Sequence, residues 1–203
     1  MQPNVISTAP PISERSPNLK PEPPQDSPAG GPEGLDPRVR IGHVHLKVAD
    51  LERAIGFYRD TLGFEVTQRF GRSAAFLSAG GYHHHIGLNT WESAGGQPPA
   101  PGTTGLYHVA ILYPTRAELG RALRRLLAAG VSLEGAADHG VSEALYLRDP
   151  DDNGVELYWD KPLGQWPRTD NGELAMVTRP LNLDALLQAG ETAAKTAGQV
   201  SAT

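Results

Sequence analysis

The sequence predicts an α+β fold made of two βαβββ modules. Three observations carry that prediction. Apolar residues switch from period two to helical spacing twice along the chain, matched helix caps follow each switch, and a Gly/Pro-rich stretch separates the two copies.

The elements follow in order. Residues 1–37 are rich in Pro, Gly and polar residues, as in Pro21-Glu22-Pro23-Pro24. Such a stretch buries too little apolar surface to offset its ordering entropy, so it reads as a disordered tail. The paired-module domain is expected over 38–160, with modules at about 40–91 and 104–160. His43-Val44-His45-Leu46-Lys47-Val48 alternates as a strand does. Asp50 then caps an amphipathic helix through Leu51, Ile55, Tyr58 and Leu62, and Gly63 ends it. Extended runs follow at 64–69, 74–78 and 83–91. The linker 92–104 is Gly/Pro-rich.

The second copy begins at His108-Val109-Ala110-Ile111-Leu112. Thr115 caps its helix, with Glu118 in capping-box position, and Leu119, Leu123, Leu126 and Leu127 make the expected buried face before Gly130. Extended runs follow at 131–134, 144–147 and 155–159. Beyond Asp160, residues 161–203 read as a C-terminal arm with a Leu-rich patch at 181–187, lying on the domain or on a partner subunit, and a frayed end from about Glu191.

Composition sets limits on function. The formal net charge of −5 offers no basic stripe, which argues against nucleic acid as a partner. No apolar run reaches the roughly 18 residues of a membrane span. The first fifteen residues lack a secretory signal pattern. Cysteine is absent, which excludes disulfides and thiol chemistry and fits a reducing, cytoplasmic setting. Any metal ligands must come from His, Asp or Glu, and all seven His residues fall between 43 and 139.

The repeat points to such a site. His43 and His108 each precede their helix cap by seven residues, so a pseudo-twofold would place them at equivalent positions. Alternation puts Val44, Leu46 and Val48 on the helix and His43 and His45 on the opposite, concave face. His45 is the competitor for His43, but Ala110 occupies its counterpart. Glu156 lies between Val155 and Leu157 on the last strand. A carboxylate there needs a partner, because an unpaired buried charge is costly. Its counterpart in the first copy is Gly87. The expectation is an open curved sheet cup around one metal site held by His43, His108 and Glu156. Two His and one carboxylate with open positions is the pattern of non-haem Fe(II) oxygenases.

These motifs resemble the vicinal-oxygen-chelate superfamily over about 40–170. The residues are Gly42-His43 through Asp50-Leu51, Phe57-Tyr58 with Leu62-Gly63-Phe64, Gly105-Leu106-Tyr107-His108-Val109, and Asp149-Pro150 with Gly154-Val155-Glu156. His139, Leu145-Tyr146, Asp149-Pro150 and Glu156 in succession look like the signature of type I extradiol ring-cleaving dioxygenases. Ala137 and Asp152 depart from it at turn-forming positions. The resemblance implies Fe(II), with Mn(II) as the alternative, and a catechol-type substrate with O2. It implies His84 as the acid–base residue, in Tyr82-His83-His84-His85-Ile86-Gly87. His85 is the rival by strict alternation. It implies His139 and Tyr146 as hydrogen-bonding partners of the substrate. A homo-oligomer is possible in this fold. The rival readings are a glyoxalase-like enzyme with a fourth ligand, a fosfomycin-type metal-dependent transferase, and a non-catalytic aromatic-binding module.

Overall fold

The computed structural model describes residues 34–200, with side chains through Thr192. Residues 1–33 of the expected tail lie outside the described residues. Residues up to Ile41 belong to one unit, and both modules lie in a second unit that begins at Gly42.

The first module contains β1 (Val44–Lys47), α1 (Leu51–Ile55) running on into a π-helical stretch (Gly56–Thr61), β2 (Glu65–Phe70), β3 (Ala74–Ser78) and β4 (Ile86–Asn89). The second contains β5 (Val109–Leu112), α2 (Arg116–Ala128), β6 (Leu133–Asp138), β7 (Ser142–Arg148) and β8 (Gly154–Asp160). Both are βαβββ, as the repeat predicts. Each helix starts at its expected cap: Asp50 accepts from the Arg53 amide and Thr115 from the Glu118 amide. The Glu118 carboxylate pairs with Arg121. Gly63 and Gly130 end the helices with φ of 92° and 68°, a region that costs a side chain energy.

The sheets are open and separate. One has the order β1-β4-β3-β2, the other β5-β8-β7-β6-β9. In each, the first strand runs parallel to the last strand of its module and forms an outer edge. The fifth strand, β9 (Arg179–Pro180), was not expected from the sequence. It pairs with β6 and has only two residues, too few to leave a periodic signal.

One apolar core runs through both modules, from Leu46, Ile55 and Tyr58 to Leu119, Leu123, Leu126 and Leu157. Leu127 corrects the expected helix face: it is 54% exposed, because it sits about 100° around the helix from Leu126. Polar ties join the modules. The Tyr58 hydroxyl donates to Asp149 Oδ2 at 3.0 Å in a buried setting. Asp151 Oδ1 accepts from the Ala49 amide at 2.9 Å and from Arg53 at 2.6 Å. Arg125 donates to the Leu62 carbonyl at 3.3 Å.

The Leu-rich patch near 181–187 becomes part of α3 (Leu183–Val200), a helix that continues past Glu191 and packs on α2. A Cβ at Gly120 would lie 2.2 Å from the Leu186 carbonyl oxygen, so glycine is what lets the helices approach. No described helix is long and apolar enough to cross a membrane.

Candidate metal and proton-transfer site

The second module gathers His108, Glu156, Tyr146 and His139 on one face of its sheet. Glu156 and Tyr146 are directly opposed on β8 and β7, which alternation alone would place side by side. His108 lies one residue before β5. It is drawn in because the chain at Tyr107 passes so close to β8 that a Cβ at Gly154 would lie 2.0 Å from the Tyr107 carbonyl oxygen. His108 Nε2 and Glu156 Oε2 are 3.0 Å apart. The Tyr146 hydroxyl is 3.0 Å from the other carboxylate oxygen, Oε1, and 2.7 Å from His139 Nε2. A cavity of about 410 Å³ opens beside them, lined also by Tyr107, Arg148 and Thr178.

Proton accounting constrains this chain of groups. His139 Nδ1 faces the Val177 carbonyl oxygen at 3.0 Å and must carry a hydrogen to bond it. In neutral His139, Nε2 is then an acceptor. The single Tyr146 proton can go to His139 or to Glu156, not to both. Partial burial and the bond to Glu156 push the Tyr146 hydroxyl up to about 12. The group therefore stays protonated and is available as a donor near neutral pH.

The first module gathers a different set. His43, one residue before β1, has its ring 4.4 Å from that of His84. His84 also meets Phe76 at 4.8 Å, and His45 lies against Phe76 and Trp91 at 5.8 and 5.5 Å. Partial burial, then the nearby His43, His83, His45 and His85, lower the His84 pKa and favour the neutral base. His85 turns elsewhere: its Nδ1 is 3.0 Å from Ser78 Oγ and its ring lies against Tyr82. Strict alternation favoured His85 over His84, but β4 begins only at Ile86. Residues 82–85 are outside the strand, so its face rule does not govern them. The His84 ring lies against that of His43.

The two sets do not merge within the chain. The repeat led to the expectation that His43 would converge with His108 and Glu156. Among the described residues, no group of three or more His, Asp or Glu is placed to hold a metal ion. Only His108 and Glu156 are brought together. The reason lies in the sheets: β1 and β5 carry the histidines on outer edges of separate sheets.

Cross-strand pairing distinguishes the two modules at this position. His45 pairs with Gly87, and Ala110 with Glu156. A Cβ at Gly87 would lie 2.9 Å from the His45 ring, so the ring takes the space a side chain would use. At the equivalent pair, the small Ala110 leaves that space to Glu156. The His45 ring thus occupies the space that a side chain at position 87 would take.

The donor set suits a divalent ion. An imidazole nitrogen and a carboxylate oxygen, 3.0 Å apart in His108 and Glu156, are donor types that such an ion would take. Sequence reasoning missed one contributor, the Val177 carbonyl that orients His139. A main-chain contact leaves no mark in residue identity.

Comparison with known proteins agrees with this architecture. Residues 40–157 match the family model described as Glyoxalase/Bleomycin resistance protein/Dioxygenase superfamily. The chain is 43% identical over 150 residues to a catechol-2,3-dioxygenase of Bacillus subtilis (strain 168), covering 74% of this chain and 52% of the relative. It is 33% identical over 121 residues to biphenyl-2,3-diol 1,2-dioxygenase 3 of Rhodococcus globerulus, covering 60% of this chain and 63% of that one. It therefore spans between half and two thirds of the length of these relatives. The solved domain from Frankia sp. EAN1pec, titled a glyoxylase/bleomycin resistance protein/dioxygenase domain, shares the fold with a TM-score of 0.51. It is 24% identical and aligns over 61% of this chain and 98% of its own. On the family match and the paired βαβββ architecture, the chain belongs to the glyoxalase/bleomycin resistance protein/dioxygenase superfamily.

Proposed function

We propose that the protein cleaves the ring of a catechol-type substrate with O2, beside its two hydroxylated carbons, at a centre held by His43, His108 and Glu156. Fe(II) is the preferred ion and Mn(II) the alternative. The observation that carries the reading is the Glu156 carboxylate, shared between His108 and a Tyr146–His139 pair on one face. The similarity to relatives named as dioxygenases of catechol and biphenyl-2,3-diol supports it. When bound, the ion would supply open positions for both reactants and a route for electron transfer between them.

The chain's own residues supply orientation and proton movement. Tyr146 offers its single hydroxyl hydrogen toward a substrate oxygen by giving up its bond to Glu156 or His139, and the Val177 carbonyl fixes the His139 ring beside that hydroxyl. His84, kept neutral, accepts a substrate hydroxyl proton and later returns it. The blocked position at Gly87 favours this reading over a glyoxalase-like four-ligand site, because a side chain there meets the His45 ring. The Tyr146–His139 pair favours it over a fosfomycin-type transferase, which has no need of that pair.

The test is protein purified without air, loaded with Fe(II), and given a panel of catechols with O2. A ring-opened product should raise a strong near-ultraviolet or visible absorbance. Iron-bound protein that changes no absorbance across the panel sinks the reading.

A further inference from the structure

We infer that Arg148 selects catechols whose ring carries a carboxylate, and takes that group at the end of the cavity away from the reacting oxygens. The inference rests on the ring-cleaving reading above and deepens it by naming the substrate class.

The cavity of about 410 Å³ has two polar ends. One holds His108, Tyr146 and His139. The other holds Arg148, the one lysine or arginine among the described residues that line it. Arg148 follows Tyr146 by two residues on β7, so alternation puts both side chains on one face. The register agrees, with Tyr146 opposite Glu156 and Arg148 opposite Gly154 on β8. Two residues of strand span about 6.6 Å. That is close to the reach of a benzene ring from one hydroxyl to a group attached across it. Gly135, Ala137 and Gly154 line the same cavity. They put no long side chain in the way of a flat ring.

The guanidinium is held but not used up. Its Nε donates to Glu134 Oε2 at 2.9 Å, and its Nη1 donates to the Asp152 carbonyl oxygen at 3.1 Å. Nη2 has no partner among the described residues. A guanidinium fixed from one side loses little freedom when its remaining N–H groups meet a carboxylate. The Glu134 side chain is 52% exposed, so its ion pair contributes little and it can turn to water as a substrate carboxylate arrives.

A purely structural strap is the competing use of Arg148. It would tie β6 to the turn before β8. Glu134 and the Asp152 carboxylate, 3.9 Å away, would then leave this end of the cavity net negative. That arrangement predicts a preference for a cationic substituent, or no preference. Selection by substituent charge separates the two uses.

The experiment uses the full chain loaded with Fe(II) without air. Calorimetry measures the binding of protocatechuate, a catechol with a carboxylate across the ring, of its uncharged amide, and of dopamine, a cationic catechol. Protocatechuate should bind at least about tenfold more tightly than its amide, the scale of one charge-assisted hydrogen bond. In Arg148→Gln that ratio should fall to about one, and Arg148→Lys should restore part of it. Equal binding of acid and amide, tighter binding of dopamine, or an unchanged ratio in Arg148→Gln overturns the inference. Glu134→Gln keeps the test decisive if Arg148→Gln misfolds, because it leaves the guanidinium bonded to Asp152 and removes the competing carboxylate. It should tighten protocatechuate by about two- to fivefold, the size of an exposed ion pair, and a loss or no change overturns the inference. Adding O2 then reads the reaction. Ring opening without a charge preference overturns the role of Arg148 and leaves the ring-cleaving reading standing. No ring opening of these compounds or of catechol itself overturns that reading, and the binding ratio measured without air still decides the role of Arg148.

Discussion

The two modules share one plan and put it to different uses. In both, a strand preceded by histidine runs parallel to the module's last strand, and a capped helix covers the far face. In the first module, the residue paired on the last strand is Gly87, and His45 fills the space above it. In the second, the first strand carries Ala110, and Glu156 fills the equivalent space. One large and one small residue at a cross-strand pair suffice to decide which strand presents the functional group. The comparison teaches that which strand's side chain occupies such a space depends on the size of the residue paired with it.

The largest test of that contrast concerns the histidines of the first module. His84→Gln should lower turnover by about 100-fold or more, the usual loss of a proton-transfer group, with metal content unchanged. His85→Gln should have a much smaller effect, because that ring is turned toward Ser78. Steady-state rates with a catechol separate the two, and the reverse order would move the acid–base role by one residue.

Ala110→His imposes the first module's large residue on the second. The ring would compete with Glu156 for space, and metal affinity should fall by roughly 10- to 100-fold in a Co(II) titration, as when a ligand loses its support. Unchanged affinity would break the proposed complementarity. Gly154→Ala attacks the same corner from below. The added methyl meets the Tyr107 carbonyl, so denaturant unfolding should show a loss of about 1–3 kcal/mol, typical of overpacking. The loss should be accompanied by weaker metal binding as His108 shifts.

A smaller effect separates the modules by pH. Only the second carries the extra strand β9 and the Asp138–Lys161 pair, at 2.6 Å, next to His139. Lys161, helped by the Gly140 amide, holds the Asp138 carboxyl below its usual range. A lowered carboxylate pKa stabilises the fold above the ordinary aspartate value of about 3.9 and is lost as pH falls through the lowered one. In Lys161→Met that contribution is reduced. The Tm gap between wild type and variant should stay constant near neutral pH and narrow below about pH 3.9. A gap that widens in acid would contradict the pairing.

The smallest effect lies in the turn before β8, where Asp152 adopts a φ of 65°. This is one of the two positions where the sequence departs from the pattern it resembles, at a site where glycine or proline is usual. Asp152→Gly should raise stability by up to about 1 kcal/mol, since glycine meets no penalty in that region. Thermal unfolding reads it, and a loss would show that the Asp152 carboxylate beside Arg148 outweighs the backbone gain.

Much of the architecture was legible in residue pattern. Alternation placed β1, β5 and β8, and the caps Asp50 and Thr115 started the helices where side-chain oxygens could take free amides. Other features were not legible. The two-residue β9 is too short for a period, and the Val177 carbonyl acts on His139 through main chain that any residue would carry. His84 escaped the alternation rule because the strand starts two residues after it.

Sequence alone determined the repeated modules, the donor types available without cysteine, and the equivalence of Glu156 and Gly87 in the repeat, because periodicity and repeats record which side of an element is buried. Only the tertiary structure decided that His108 meets Glu156 while His43 stays with His84. Periodicity records faces and not edges, and the strands that follow the two histidines, β1 and β5, lie on the edges of separate sheets.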